Sequence, residues 1–215
     1  MKHIALIFFL NLALVAAAAA QLVPVPPEAG TFEGGVSYGL VIDNSGSYRT
    51  LLDKVIELVS DIVEENKAGD EAFLVTFVDS SKIAVRQDMT GNSSDLRDAA
   101  ENMFIEGGLT AILDAVKFSA DHLAAKSTPG FNRSKVLILI SDGDERKSFA
   151  SFQDVIKSLR AENIKVFVIA LAEDKVYTKV IDRLSKETGG TKYTPKTRDE
   201  IRAAVKSLSA AIRAK

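Results

Sequence analysis

The chain has 215 residues, 47% hydrophobic and 26% charged, with 27 basic side chains against 29 acidic ones and no cysteine. That profile suits a globular protein with one good core, and its charge balance gives no reason to expect nucleic acid or an anionic membrane surface as a partner. The missing cysteines exclude thiol nucleophiles, thiolate zinc sites, redox pairs, disulfides and anchoring through a lipidated N-terminal cysteine.

Residues 1–20 read as a signal peptide. Met1, Lys2 and His3 form a short basic start, residues 4–15 an apolar run, and residues 16–20 are all alanine, the small residues a signal peptidase requires. Cleavage near Ala20 and Gln21 is expected. The alternative, an uncleaved anchor, is disfavoured because the run is short for a membrane span. A cleaved signal implies a secreted or periplasmic protein without stable membrane insertion. Residues 21–35, QLVPVPPEAGTFEGG, are rich in proline and glycine and read as an extended linker. The remainder, residues 36–215, reads as one domain.

Within that domain residues 36–42 are a strand candidate, followed by an amphipathic helix over 48–66 with apolar side chains from Leu51 to Val63 at helical spacing. Residues 72–78, AFLVTFV, form a continuous apolar run, as expected of a strand covered on both faces. Residues 83–86 follow too closely for a crossover helix, so this short edge strand should pair antiparallel. A helix capped by Ser93 or Ser94 is expected through Met103, and another over 110–125. Residues 135–140 (KVLILI) form a strand, 151–161 a helix, 164–171 a strand and 176–187 a helix closed by Gly189 and Gly190. A short strand at 191–193 and a last helix, with Thr197 and Glu200 as its capping box, complete the pattern. Apolar strands alternating with amphipathic helices predict an α/β fold: a Rossmann-like, doubly wound, mostly parallel sheet with one short antiparallel edge strand and helices on both faces.

In such sheets ligands bind beyond the carboxyl ends of the strands. Three strand or helix ends carry suitable groups: Asp43, Ser45 and Ser47 after the first strand, Thr110 behind FIEGGLT, and Asp142 after VLILI. Two carboxylates and three hydroxyls are hard oxygen donors suited to Mg²⁺ or Mn²⁺. A period of two over 43, 45 and 47 aims alternate side chains to one side, and a helix beginning at Tyr48 would add the positive end of its dipole.

This five-part set, in this order, resembles the metal-ion-dependent adhesion site of von Willebrand factor type A domains, and the resemblance covers residues 36–211. The arrangement of signal, linker and single domain is also similar to bacterial secreted "VWFA-related" proteins. The resemblance implies that Ser45 and Ser47 coordinate the metal directly, that Asp43 and Asp142 act through water and by orienting the hydroxyls, and that Thr110 joins or leaves the shell. It further implies an open coordination position for an Asp or Glu carboxylate of a partner protein. Tyr48 departs from the smaller residues common in the family and is expected to alter the rim.

Simpler roles exist for each residue. Asp43 or Ser47 alone is explained as a helix cap, and only Thr110 and Asp142 lift the pair above that. Asp144 and Glu145 read as solvated loop charges or a rim, and His122 as a surface or packing residue. The motifs at Asn92 and Asn132 matter only as glycosylation sequons in a eukaryotic secretory pathway. The competing function is a metal-assisted hydrolase or phosphatase. Against it, the chain lacks a DxDx[TV] nucleophile motif, a Walker loop, a G-x-S-x-G elbow and a histidine placed as a general base. No catalytic residues are therefore assigned.

Overall fold

A computed structural model describes residues 35–128 and 133–214. The signal peptide, the linker up to residue 34 and the Asn132 motif lie outside the described residues. The run VSYGLVID forms β1 (Val36–Asp43), with every residue buried. It pairs in parallel with β2 (Glu71–Phe77) on one side and with β4 (Ser134–Ile140) on the other. Beyond β2 lies β3 (Ile83–Thr90), antiparallel. Beyond β4 lie β5 (Ile164–Ile169) and the two-residue β6 (Lys192–Tyr193), both parallel. Among the described residues these form one six-stranded sheet in the order β3-β2-β1-β4-β5-β6.

Helices cover both faces, which is why the central strands are apolar throughout rather than alternating. On β1, Tyr38, Leu40 and Ile42 pack with α1 (Leu52–Glu64), α2 (Ser93–Glu101) and α6 (Arg198–Ala211). Val41, pointing the other way, packs with α3 (Ile112–Lys126), α4 (Phe152–Ala161) and α5 (Thr178–Thr188). Gly39 shares that second face, where a Cβ would stand 2.3 Å from Cζ of Phe73. The missing side chain lets the Phe73 ring cross the central strand. On α1 the buried side chains are Val55, Leu58, Val59, Ile62 and Val63, three or four residues apart. Each such side chain contributes roughly 1.5–3 kcal/mol of burial.

Local signals set most of the ends. Thr197 Oγ1 accepts from Glu200 N–H, and the Glu200 side chain returns to the Thr197 N–H, the expected capping box of α6. Ser151 caps α4, and Gly189, at φ +76°, closes α5. Four boundaries differ from expectation. The first helix begins at Leu52 rather than Tyr48, because Gly46–Tyr48 forms a separate 3₁₀ turn with Ser45 as its N-cap. The positive end of the α1 dipole is therefore displaced from Ser47. The cap of α2 is Asn92, whose Oδ1 accepts from Ser94 N–H at 3.1 Å. The third helix starts at Ile112, leaving Thr110 in the preceding loop. The edge strand β3 runs on to Thr90, its polar second half held by pairing with β2 across two register shifts.

Candidate functional site

The chain leaves β1 toward β2 and later returns to place β4 on the opposite side, so the crevice between the ends of β1 and β4 is the topological switch point. Asp43 ends β1 and Asp142 lies just past β4. The register sets Ile42 beside Ile140, which brings Ser141 next to Asp43. Ser141 Oγ donates to Asp43 Oδ2 at 2.8 Å and itself accepts from Gly143 N–H at 3.0 Å. On the other side Asp43 Oδ1 accepts from Ser45 N–H at 3.0 Å, a turn that fixes how the chain leaves the strand.

Past that turn, Ser45 Oγ and Ser47 Oγ lie 3.1 Å apart. Ser45 is buried and Ser47 exposed, so the pair reaches from the crevice to solvent. Tyr48 is not part of the rim: it is 1% exposed, and its hydroxyl donates to Leu171 C=O at 3.0 Å. It is a core side chain beneath the loop. Asn44 ties the loop outward, its Nδ2 donating to Phe104 C=O at 2.8 Å.

Phe77, the last residue of β2, and Val78 just after it bring the remaining segment in. Phe77 C=O accepts from Asn44 N–H and Val78 C=O from Ala111 N–H, both at 2.8 Å. Thr110 is thereby held beside the Asp43 loop, almost fully buried. Its carbonyl accepts from Arg146 N–H at 2.9 Å and Lys147 N–H at 3.1 Å, joining it to the loop after β4. That loop also supplies the cap α3 lacks, since Ala111 at the N-cap position makes no side-chain bond. Leu113 N–H donates to Glu145 Oε2 and to Ser148 Oγ, each at 3.0 Å. In return Asp114 accepts from Phe149 N–H at 2.9 Å and Ala150 N–H at 2.7 Å. Glu145 is thus a structural cap, not a free rim charge. Asp144 pairs with Arg146.

The five residues expected at the site therefore lie around the carboxyl ends of the central strands. Asp43, Ser45, Ser47 and Asp142 are linked by hydrogen bonds or by electrostatic proximity. Thr110 joins them through its backbone; among the described residues its hydroxyl bonds to none of the other four. Burial pushes the Asp43 carboxyl up to about 6; hydrogen bonds from Ser45 and Ser141 pull against this, and the Asp142 charge adds to the rise. Burial and these two carboxylates also drive the Tyr48 phenol well above its ordinary range. Among the described residues neither Asp43 nor Asp142 belongs to an ion pair, and no group of three or more His, Cys, Asp or Glu stands ready for a metal. The available donor set is two carboxylates supplemented by hydroxyls.

Ser141 was missed as a site residue, although its place between strand and Asp142 marked it. Asn44 was also passed over. His122 lies elsewhere, its Nε2 2.9 Å from Asp88 Oδ1 and its ring centroid 4.7 Å from that of Phe73. This is the packing role expected of it.

A family model described as the von Willebrand factor type A domain matches residues 39–209. Among solved structures the chain is similar to an aerotolerance-related membrane protein from Bacteroides fragilis carrying multiple mutations to serine. The identity is 18% and the TM-score 0.68, over 83% of this chain and 98% of that one. It is also similar to BatB, a conserved hypothetical protein from Bacteroides thetaiotaomicron (17%, 0.67, 84% and 100%). A von Willebrand factor type A protein from Catenulispora acidiphila matches at 17% identity and a TM-score of 0.70, over 84% of this chain and 43% of that one. At these identities the likeness is one of fold. No curated protein sequence matches the chain.

Proposed function

The chain belongs to the von Willebrand factor type A domain family, whose members are generally interaction modules, and we propose that it is a metal-dependent protein-binding module acting outside the cytoplasm. The observation that carries this is the pairing of two buried carboxylates, Asp43 and Asp142, with the facing hydroxyls of Ser45 and Ser47, neither carboxylate being in an ion pair among the described residues. A cation offsets the cost of burying the ionised Asp43 carboxyl and its smaller repulsion from Asp142, and hard oxygens at this modest charge fit Mg²⁺ or Mn²⁺. Ser45 and Ser47 would hold the ion through Oγ. Asp43 and Asp142 would act through water and by orienting the hydroxyls, with Ser141 fixing Asp43. Thr110 would join or leave the set. When bound, such an ion with an incomplete shell supplies a Lewis-acidic position for the Asp or Glu carboxylate of a partner protein.

Calorimetric titration with Mg²⁺ and affinity capture from the native extracytoplasmic fraction test the proposal together. Binding of the ion, and partners lost on adding EDTA or in Asp43→Ala, are the expected results. The same partners retained after either change would sink it. The competing hydrolase or phosphatase is addressed by a screen of phosphate and ester substrates with Mg²⁺, where turnover abolished in Ser45→Ala would replace the binding role.

A further inference from the structure

The exposed large hydrophobic side chains among the described residues are Val85, Phe104, Leu109, Phe118, Phe149 and Tyr177. Four of these six belong to the loops around the candidate site, and each is tied to it through the backbone. Phe104 C=O takes the Asn44 amide, Leu109 immediately precedes Thr110, and Tyr177 N–H donates to Asp142 C=O at 2.7 Å. Phe149 N–H is bound by Asp114 in the first turn of α3, and its side chain is 92% exposed. Side chains of this size in water around the carboxyl ends of the central strands mark a surface built for contact. Two of the rings are braced by cations. Arg86 Cζ lies 5.3 Å from the Phe104 centroid and Lys175 Nζ 4.6 Å from that of Tyr177. Bracing reduces the freedom lost when a partner docks.

The charges of the same loops are of both signs. Asp144 is paired with Arg146, Glu106 with Arg86, Glu145 is bound to the start of α3, and Asp79 accepts from Ser81. Glu173 and Asp174 line a separate cleft of 470 Å³ with Leu51, Lys54 and Pro195. Arg49 and Lys147, both exposed, form no ion pair among the described residues. The rim is therefore apolar, with exposed charges of both signs around an acidic centre.

We infer that the partner is an acidic protein segment whose coordinating Asp or Glu is flanked by large apolar side chains, which rest on Phe104, Leu109, Phe149 and Tyr177. This rests on the proposed carboxylate-binding role and adds the side chains that select among carboxylates. Aromatic anchors beside a desolvated polar contact are the arrangement in which few residues carry most of the affinity.

The test is selection of a random displayed peptide library on the immobilised chain in Mg²⁺, with elution by EDTA. Enriched peptides should carry Asp or Glu next to Leu, Ile, Phe, Tyr or Trp. Their affinity should fall about tenfold or more in Phe104→Ser with Phe149→Ser, while the rise in melting temperature caused by Mg²⁺ stays unchanged. That control separates a lost anchor from a damaged metal site. Acidic peptides with polar flanks, or equal affinity in the double variant, overturn the inference and leave the carboxylate-binding role standing. A library that yields no EDTA-eluted acidic peptide overturns both.

Discussion

Replacing Asp43 with Asn keeps the shape of the side chain and removes its charge, and the outcome separates a metal ligand from a helix cap. Burial raises this carboxyl from 3.8 to about 6. At about 1.4 kcal/mol per pKa unit, keeping it ionised in the metal-free protein costs ~3 kcal/mol at neutral pH. The sign follows from the direction: the folded protein holds the proton more tightly than the unfolded chain. The penalty is therefore absent below the unfolded value, grows as pH rises, and is complete above about 6. The amide preserves the neighbouring bonds, its oxygen accepting from Ser45 N–H and its nitrogen donating to Ser141 Oγ. In EDTA, Asp43→Asn should be more stable than the parent by about 1–3 kcal/mol near pH 7.5 and by almost nothing near pH 4. Added Mg²⁺ should stabilise the parent, less so as pH falls below about 6 and protons compete, and should leave the variant unchanged. Urea unfolding with and without Mg²⁺ across that range measures all of this. A variant less stable than the parent in EDTA at neutral pH, or one still stabilised by Mg²⁺, would refute the reasoning.

Three other substitutions probe the scaffold that positions the site. Tyr48→Phe deletes the hydroxyl that donates to Leu171 C=O and should cost about 1 kcal/mol in urea unfolding, with Mg²⁺ affinity by calorimetry unchanged. Gly143→Ala places a Cβ 2.0 Å from the Tyr177 carbonyl oxygen at φ +87°. It should lower stability by about 2 kcal/mol or more and weaken Mg²⁺ binding, because the loop carrying Asp142 must move. Thr197→Ala breaks the α6 capping box and should cost about 1 kcal/mol, read as a lower melting temperature without loss of Mg²⁺ binding.

The sheet was legible because β1, β2, β4 and β5 are buried on both faces and so appear as uninterrupted apolar runs. The antiparallel turn to β3 was legible from the shortness of the connection. The extent of β3 was not: Gln87 to Thr90 look like loop, and only pairing with β2 makes them strand. Helical periodicity placed the first helix over 48–66, yet a periodic count cannot register that Ser45 starts a separate 3₁₀ turn ahead of Leu52. It was the resemblance, not the periodicity, that put Tyr48 at the rim, whereas its ring lies in the core. Asp43, Ser45, Ser47 and Asp142 stand out in the sequence because they follow apolar strand runs, whereas Thr110, expected to open a helix, lies in the loop before α3. Glu145 does not stand out, since the N–H group it caps lies 32 positions earlier in the chain and no local pattern joins the two.

The mutual strapping of the loop after β4 and the start of α3 has a kinetic consequence. Thr110 cannot shift without releasing its carbonyl from Arg146 and Lys147, and that loop cannot shift without uncapping Leu113 and freeing Asp114. Neither segment opens alone. The amides of Leu113, Arg146, Lys147, Phe149 and Ala150 should exchange with solvent as one cooperative unit. A partner seated near Phe149 would then slow exchange at all of them together, so engagement at one point of the rim would be registered across both halves of the crevice.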